Sequence, residues 1–340
     1  MNTVAAGVTT ARRRRPPRRA PGQVDGTPHT AAGPPRATGL VVLALVLALL
    51  LALHDHLPAA GGLRSLVATV LPWFGLALAA LGLLAVLRRT VLGGVAVLFA
   101  TGAWLWVCLP FLTPASSGEG DLVVVLHNVA DTNTDPTWTA RVLLAPEPDV
   151  VTLVEVTPEL AEAFASSFAE ALPHFALQGT VGVWSRHPIT RAEPVDLRPP
   201  GTDASWDRGL RVVVDAPGAP GLAVYAVHLP SVRLGPQGLT SGPRDHSLRR
   251  LGEVLAADGA PIVVVGGDFN TVLADRAFDP VLAHVATPPG SLGFTFPARL
   301  PGVRIDHVLV RGAEITGIST LGRTASDHLP VVADVALPPG

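Results

Sequence analysis

The chain has 340 residues, of which 48% are hydrophobic, and its 25 basic residues, all arginine, nearly balance 27 acidic ones. That length accommodates one catalytic domain and an accessory region. The single cysteine, Cys108, excludes an intrachain disulfide. The charges are unevenly distributed, because residues 1–120 hold ten arginines and three acids whereas residues 121–340 hold 15 arginines and 24 acids. An acidic second part without a basic stripe argues against tight binding to long nucleic acid, although a local basic groove would still permit it.

The first third of the sequence is predicted to be a membrane region. Residues 1–37 form an Arg- and Pro-rich tail, which is predicted to be disordered. Three apolar runs follow, at residues 40–53, 66–87 and 91–112, and the last two are long enough to span a bilayer. Region 38–112 is therefore predicted to hold three transmembrane helices. Because the first run is short, a cleaved signal peptide remains the alternative for it.

The arginines predict the orientation of these helices. The arginines of the tail and the Arg88-Arg89 pair between the last two runs are expected on the cytoplasmic side. We therefore expect a multi-pass cell-membrane protein whose catalytic domain, residues 121–340, is extracytoplasmic; residues 113–120 are predicted to be the linker. The spans carry no ionisable residue, which argues against a transporter or channel.

Strand-like runs and helical patterns alternate after the linker, which indicates an α/β class. Strands are predicted at residues 122–126, 150–154, 181–184, 210–214, 223–227, 262–265, 305–310 and 331–335. Helices are predicted at residues 136–144, 158–171 and 244–257.

Polar side chains recur where these strands end or begin. In the clearest case a buried Val- and Ile-rich run is broken by Gly266 and Gly267 and then followed by Asp268 and Asn270. Hard oxygen donors of this kind suit Mg²⁺ and phosphate, and α/β folds place their chemistry at such strand ends. Six strands share the feature. Their residues are Asn128, Glu155, His228, Asp268 with Asn270, Asp306, and Asp327 with His328.

In this order the motifs resemble the endonuclease/exonuclease/phosphatase superfamily, which includes DNase I, the exonuclease III-type endonucleases and the neutral sphingomyelinases. The resemblance covers about residues 121–336, and together with the apolar runs it suggests a membrane-anchored bacterial member. It implies a four-layer α/β sandwich of two mixed sheets, DNase I-like, with the active site at one edge of both sheets. The matching segments are Asn128, Glu155, residues 182–189, 228–229, 267–270, 304–307 and 326–330.

The resemblance also implies a metal site. Glu155 would be the principal Mg²⁺ ligand, with Mn²⁺ able to replace Mg²⁺. Asn128 would help to bind the metal or orient Glu155, and Asp327 would be a second carboxylate on the metal side. The simpler alternatives are that Glu155 caps the next helix and that Asn128 is a turn residue.

The same resemblance implies a catalytic set. Asp268 would orient or deprotonate the attacking water, and Asn270 would hold a phosphate oxygen. His328 corresponds to the family's essential histidine, and Asp306 would accept a hydrogen bond from its other ring nitrogen.

Two further positions are expected to face the substrate. His228 would contact the scissile phosphate and assist the leaving group, and Arg208 would be a phosphate-facing basic residue. His307 is expected either to pack among neighbouring side chains or to support the active-site residues from behind, since many relatives have an aromatic side chain there. Some nuclease relatives have an acid where this chain has Ala130, which weakens a specifically abasic-endonuclease assignment.

The expected activity is metal-dependent hydrolysis of a phosphate ester. The substrate remains open between nucleic acid, a phospholipid head group and a small phosphate ester met at the membrane, and no obligate protein partner is implied. The alternative is a catalytically inactive domain that binds phosphate ligands as a sensor or scaffold at the membrane.

Overall fold

A computed structural model describes residue 3 and residues 38–113, 118–235, 238–290 and 292–339. The predicted disordered tail lies outside the described residues except at residue 3, and so do residues 114–117 of the predicted linker.

Four helices form an N-terminal bundle: α1 (Thr38–Leu53), α2 (Leu63–Val70), α3 (Phe74–Leu87) and α4 (Val91–Leu112). Short 3₁₀ turns precede and follow α2, at Ala60–Gly62 and Leu71–Trp73. Three helical stretches are long and apolar enough to cross a membrane by length and composition. They are Thr38–His56, Ala60–Leu87 and Val91–Leu112.

Apolar side chains cover the bundle on its outside as well as filling its inside. Small residues such as Ala44 and Ala100 are buried where α1, α3 and α4 meet. The outward-facing side chains include Val91 and Trp106, which are 84% and 85% exposed. A helix that is apolar all round is stable only when something other than water covers it.

The chain after the predicted linker contains thirteen strands among the described residues. The strands are β1 (Leu122–Asn128), β2 (Val150–Val154), β3 (His174–Gln178), β4 (Val181–Ser185), β5 (Ile189–Pro194), β6 (Gly209–Ala216), β7 (Ala219–His228), β8 (Arg233–Gly235), β9 (Gly238–Thr240), β10 (Val263–Asp268), β11 (Asp306–Arg311), β12 (Glu314–Thr320) and β13 (Val331–Ala336). The helices are α5 (Pro136–Leu144), α6 (Pro158–Phe168), α7 (Gly242–Ala257) and α8 (Asp279–Leu282).

Two mixed sheets pack face to face. One has the strand order β12-β13-β1-β2-β4-β3 and the other β11-β10-β7-β6-β5, while β8 and β9 form a separate hairpin. Alternate side chains of both sheets, among them Val124 and Val224, share one buried core. Helices α5 and α6 cover the outer face of the first sheet, and α7 and α8 cover the second. The predicted four-layer α/β sandwich is therefore confirmed.

The sheets approach each other closely near the end of β10. A Cβ atom at Gly266 would lie 2.3 Å from Oγ1 of Thr152 in the opposite sheet. Only glycine fits there, so the glycine pair has a packing role in addition to ending the apolar run.

A buried ion pair joins the end of α7 to the second sheet. Asp258 accepts hydrogen bonds from Arg211 Nε at 2.8 Å and Nη2 at 3.1 Å, and a third from the Tyr225 hydroxyl. Burial alone would raise the pKa of Asp258, but these bonds to Arg211 and Tyr225 outweigh it and hold the pKa well below its usual range.

Asp258→Asn is expected to lower the free energy of unfolding by about 2 kcal/mol, because it leaves the Arg211 charge without its buried partner. A carboxylate with a depressed folded pKa contributes its full stabilisation above the unfolded pKa, so this contribution should begin to fall below about pH 4 and be lost as the pH drops towards the lower folded pKa. Thermal unfolding of the detergent-solubilised chain at about pH 7 and about pH 2 tests this. Equal melting temperatures of variant and wild type at pH 7 would contradict it.

Candidate active site

The sheet topology brings the predicted polar residues to one edge of the sandwich. Strands β1 and β2 are parallel, as are β7 and β10, so Asn128, Glu155, His228 and Asp268 all lie at carboxyl ends of strands. Strand β11 runs antiparallel to β10, which places its first residue, Asp306, directly opposite Asp268. The two sheets thus contribute the facing halves of a single site.

Two carboxylates converge on one amide at this edge. Asn128 Nδ2 donates to Glu155 Oε1 at 3.0 Å and to Asp268 Oδ2 at 3.1 Å. Two like charges so close together are unfavourable without a cation, and burial together with the Asp306 charge raises the pKa of Asp268. The oxygen-rich donor set therefore fits a divalent metal, with Glu155 as the accessible ligand and Asn128 holding it in place.

Glu155 has a backbone conformation that is unusual for its residue type. Its φ is +60°, in the left-handed region, directly after β2. Such a conformation costs about 1 kcal/mol or more for a residue with a Cβ atom and is found mainly at functional sites. The turn points the carboxylate back toward Asn128 instead of into solvent.

His328 and Asp306 form a buried charge pair. His328 Nδ1 lies 2.8 Å from Asp306 Oδ2, and its Nε2 lies 3.9 Å from Asp268 Oδ2. Burial would lower the pKa of His328, but the charge of Asp306 and the hydrogen bond to it, with the charges of Asp268 and Asp327, raise the pKa to about 9. His328 is therefore protonated at neutral pH and presents an N–H donor at Nε2.

Asp268, Asp306 and His328 have ligand-type atoms within 4.8 Å of one another. Because His328 uses Nδ1 to bond Asp306 and carries a positive charge, its free Nε2–H suits a phosphate oxygen better than a metal ion. The carboxylate pair on the Asn128 side is the better cation site.

His228 is held in the opposite protonation state. Arg208 Nη1 lies 3.3 Å from His228 Nδ1, and since a guanidinium only donates, Nδ1 accepts and Nε2 carries the proton. Burial, followed by the charges of Arg208 and His328, lowers the pKa of His228 to about 3. Its Nε2 lies 3.5 Å from Glu155 Oε1, so a neutral imidazole donor faces the carboxylate pair.

Asn270 lies two residues after Asp268, with φ +51°. Its backbone N–H donates to Asp268 Oδ1 at 2.9 Å, and its side-chain Nδ2 donates to the Leu229 carbonyl at 3.0 Å. These bonds place the carboxamide at the mouth of the site, between β7 and β10.

These side chains open into a cleft of about 600 Å³. Of the predicted site residues, the cleft is lined by Glu155, Arg208, His228, Asp268, Asn270 and His328. Asn128 and Asp306 lie behind this lining as hydrogen-bond partners. Asp327 is exposed and does not line the cleft, so its metal role remains a prediction.

The sequence did not reveal several residues of the cleft wall. Phe296 packs on the imidazole of His328, with ring centroids 4.8 Å apart, and Arg233 adds a second basic side chain to Arg208. Both lie outside the regular strand pattern, so no periodic signal marked them. His307 is buried between Phe269 and Phe278, as expected for a core residue.

The fold is shared with solved structures of low sequence identity. An endonuclease/exonuclease/phosphatase from Beutenbergia cavernae is 23% identical (TM-score 0.51), and the match covers 64% of this chain and 72% of that one. D. rerio TDP2 complexed with single-strand DNA product is 21% identical (TM-score 0.51; 63% and 98% covered). Staphylococcus aureus beta toxin with bound magnesium ions is 15% identical (TM-score 0.50; 63% and 99% covered).

Among curated proteins, none matches the chain in sequence. The profile of the Endonuclease/Exonuclease/phosphatase family, however, matches residues 120–328, which is more than half of the chain and includes the whole cleft and every strand of both sheets except β13. The chain therefore belongs to the Endonuclease/Exonuclease/phosphatase family.

Proposed function

We propose that this protein is a membrane-anchored, divalent-metal-dependent phosphoesterase. The observation that carries the proposal is the pairing of two carboxylates around Asn128 with two histidines of opposite protonation state in one cleft. An inactive sensor would need phosphate-binding groups only, whereas this site also retains the carboxylates that a hydrolytic reaction requires.

The roles of the residues follow from their positions. Glu155 would hold a divalent cation, Mg²⁺ or Mn²⁺, which would act as a Lewis acid and offset phosphate charge. Asp268 is the acceptor that orients the attacking water and takes its proton. His328, charged and fixed by Asp306, donates from Nε2 to a phosphate oxygen as negative charge develops there.

Substrate contacts come from the other side of the cleft. His228 donates from Nε2 to the scissile phosphate or leaving oxygen, and Arg208 keeps its neighbouring ring nitrogen deprotonated. Asn270 holds a further phosphate oxygen, and Arg233 extends the basic wall. Two arginines suit a phosphate ester with few charges better than a long polyanion.

The helical bundle is the proposed membrane anchor. Its outer surface is apolar, and the three helical stretches have mean hydropathies of 2.0 to 2.3. Arg88 and Arg89 lie at the end of the bundle away from the catalytic domain, because Trp73 before α3 and Phe111 near the end of α4 both face that domain. The positive-inside rule then supports an extracytoplasmic catalytic domain.

The test is hydrolysis by the full chain in lipid nanodiscs, with Mg²⁺ or with EDTA. Three substrates separate the classes: plasmid DNA, bis-p-nitrophenyl phosphate, and sphingomyelin or phosphatidylinositol phosphate. We expect Mg²⁺-dependent turnover that EDTA abolishes and Mn²⁺ restores. Metal binding without turnover on any substrate would favour the phosphate-binding sensor, and turnover unaffected by EDTA would overturn the metal role.

A further inference from the structure

The helical bundle contacts the same loops that build the active-site cleft. Trp73, at the start of α3, stacks on Phe294 with ring centroids 5.7 Å apart, and its Nε1 donates to the Gly302 carbonyl at 2.9 Å. The turn before α2 packs on the β8–β9 hairpin, whose first residue, Arg233, lines the cleft. The bundle therefore lies against the active-site edge of the sandwich.

The most buried polar link across this interface is Arg244, in the first turn of α7. Its side chain is 2% exposed. Nη2 lies 2.6 Å from Asp245 Oδ1, 2.8 Å from Ser65 Oγ in α2 and 3.0 Å from Asp275 Oδ2, all three of which can accept from it. Nε donates to Asp245 Oδ1 at 3.0 Å.

The remaining guanidinium nitrogen reaches the active site. Arg244 Nη1 donates to the backbone carbonyl of Asn270 at 3.1 Å. Asn270 has a left-handed backbone, a conformation that asparagine adopts more readily than other residues with a Cβ atom. Two contacts restrain its peptide groups on either side: the N–H bonds Asp268 Oδ1, and the carbonyl accepts from Arg244.

We propose that Arg244 is a positioning residue through which α2 holds Asn270 in its active conformation. The helical bundle is then a structural part of the active site as well as an anchor. This inference rests on the proposed function for its activity readout, since Asn270 is assigned there to the phosphate.

The ion pairs of Arg244 do not by themselves require the bundle. Asp245 and Asp275 both belong to the catalytic domain and supply the opposite charges that a buried guanidinium needs. Ser65 adds one uncharged acceptor. It therefore does not balance the charge of Arg244 but helps to fix the orientation of the guanidinium. Without this acceptor, we expect the plane of the guanidinium to turn within its ion pairs and the bond from Nη1 to the Asn270 carbonyl to lengthen.

Ser65→Ala removes this single acceptor and keeps both ion pairs. Thr69→Ala is the matched control, because Thr69 also lies in α2 and its hydroxyl bonds only the Ser65 carbonyl, at 2.8 Å. Both variants are compared with wild type as full chains in nanodiscs. The measurements are kcat and KM on the substrate that the wild type turns over best, and hydrogen–deuterium exchange of peptides covering residues 268–276.

For Ser65→Ala we expect kcat to fall about tenfold while KM changes less than twofold, since a hydrogen bond to a charged group is lost and the Asn270 geometry loosens. Amide exchange in residues 268–276 should rise about tenfold. Thr69→Ala should leave both quantities at the wild-type level. Arg244→Lys keeps the positive charge but lacks the planar guanidinium with its several N–H donors. It should raise amide exchange in residues 268–276 at least as much as Ser65→Ala does.

Wild-type kcat and exchange in Ser65→Ala would overturn the proposal, and so would equal losses in Ser65→Ala and Thr69→Ala. The exchange measurement needs no substrate. If the wild type hydrolyses nothing, the proposed function fails, yet faster exchange in Ser65→Ala alone would still support the link from α2 to Asn270.

Discussion

His328→Ala is expected to lower kcat/KM by about 10³-fold while leaving metal binding intact. The variant loses both a positioned N–H donor and a buried positive charge at the phosphate. The change also leaves the buried carboxylate of Asp306 without its charged partner, so the free energy of unfolding should fall and the folded fraction of the variant is checked alongside its activity. The measurement is Mg²⁺-dependent hydrolysis by the full chain, with His284→Ala, which lies outside the cleft, as the matched control. More than one-tenth of wild-type activity in His328→Ala would contradict the assigned role.

The pH dependence of activity also tests the role of His328, because Asp306 raises the pKa of this histidine. His328 donates only while protonated, and its pKa is raised to about 9, so activity should fall as the pH rises above about 9. Asp306→Asn removes the nearest charge that raises this pKa. The basic limb of the pH profile should then move to lower pH by about one unit or more. An unchanged limb would show that another group sets it.

Glu155→Gln is expected to raise the stability of the protein while lowering its activity. Replacing one of two carboxylates that face the same amide relieves their repulsion, which should raise the free energy of unfolding by about 1 kcal/mol in EDTA. The same change should lower hydrolysis by about 10³-fold, because the accessible metal ligand loses its charge.

Stabilisation by Mg²⁺ distinguishes the loss of a metal ligand from a general disruption of the site. Wild type should gain about 2.7 kcal/mol at a Mg²⁺ concentration 100-fold above its Kd, and Glu155→Gln should gain far less. Glu159→Gln is the matched control, since Glu159 is exposed in the first turn of α6 and does not line the cleft. Equal Mg²⁺ stabilisation of Glu155→Gln and wild type would place the metal elsewhere.

Strands buried on both faces were predictable from the sequence. The predicted bounds of β2 and α5 agree with the structure, because a continuous apolar run and a Pro-started, Asp-capped helix are strong local signals. Strands β3 and β5 were not predicted, since both lie at sheet edges and half of their side chains face solvent. Strand β12 was missed as well; it is an edge strand interrupted by a bulge between Ile315 and Gly317.

The site was predictable to the extent that strand ends mark it. Asn128, Glu155, His228, Asp268, Asp306 and His328 were identified as a set because each one directly follows or precedes an apolar run. Arg233, Arg244 and Phe296 had no such signal, because they lie in a hairpin, a helix start and an irregular loop. Contacts across 26 to 179 residues of chain, such as those of Arg244, have no local pattern.

The sequence by itself determined the α/β class, the apolar N-terminal helices and the residue types of the site, because these depend on local hydrophobic periodicity and on the chemistry of single side chains. The tertiary structure alone decided the protonation states. His228 and His328 are both strand-end histidines in the sequence, yet burial and the charge of Arg208 lower the pKa of one, whereas the charge of Asp306 raises the pKa of the other. A pKa depends on burial and on charges brought close by folding, which strand order and register set and local sequence does not.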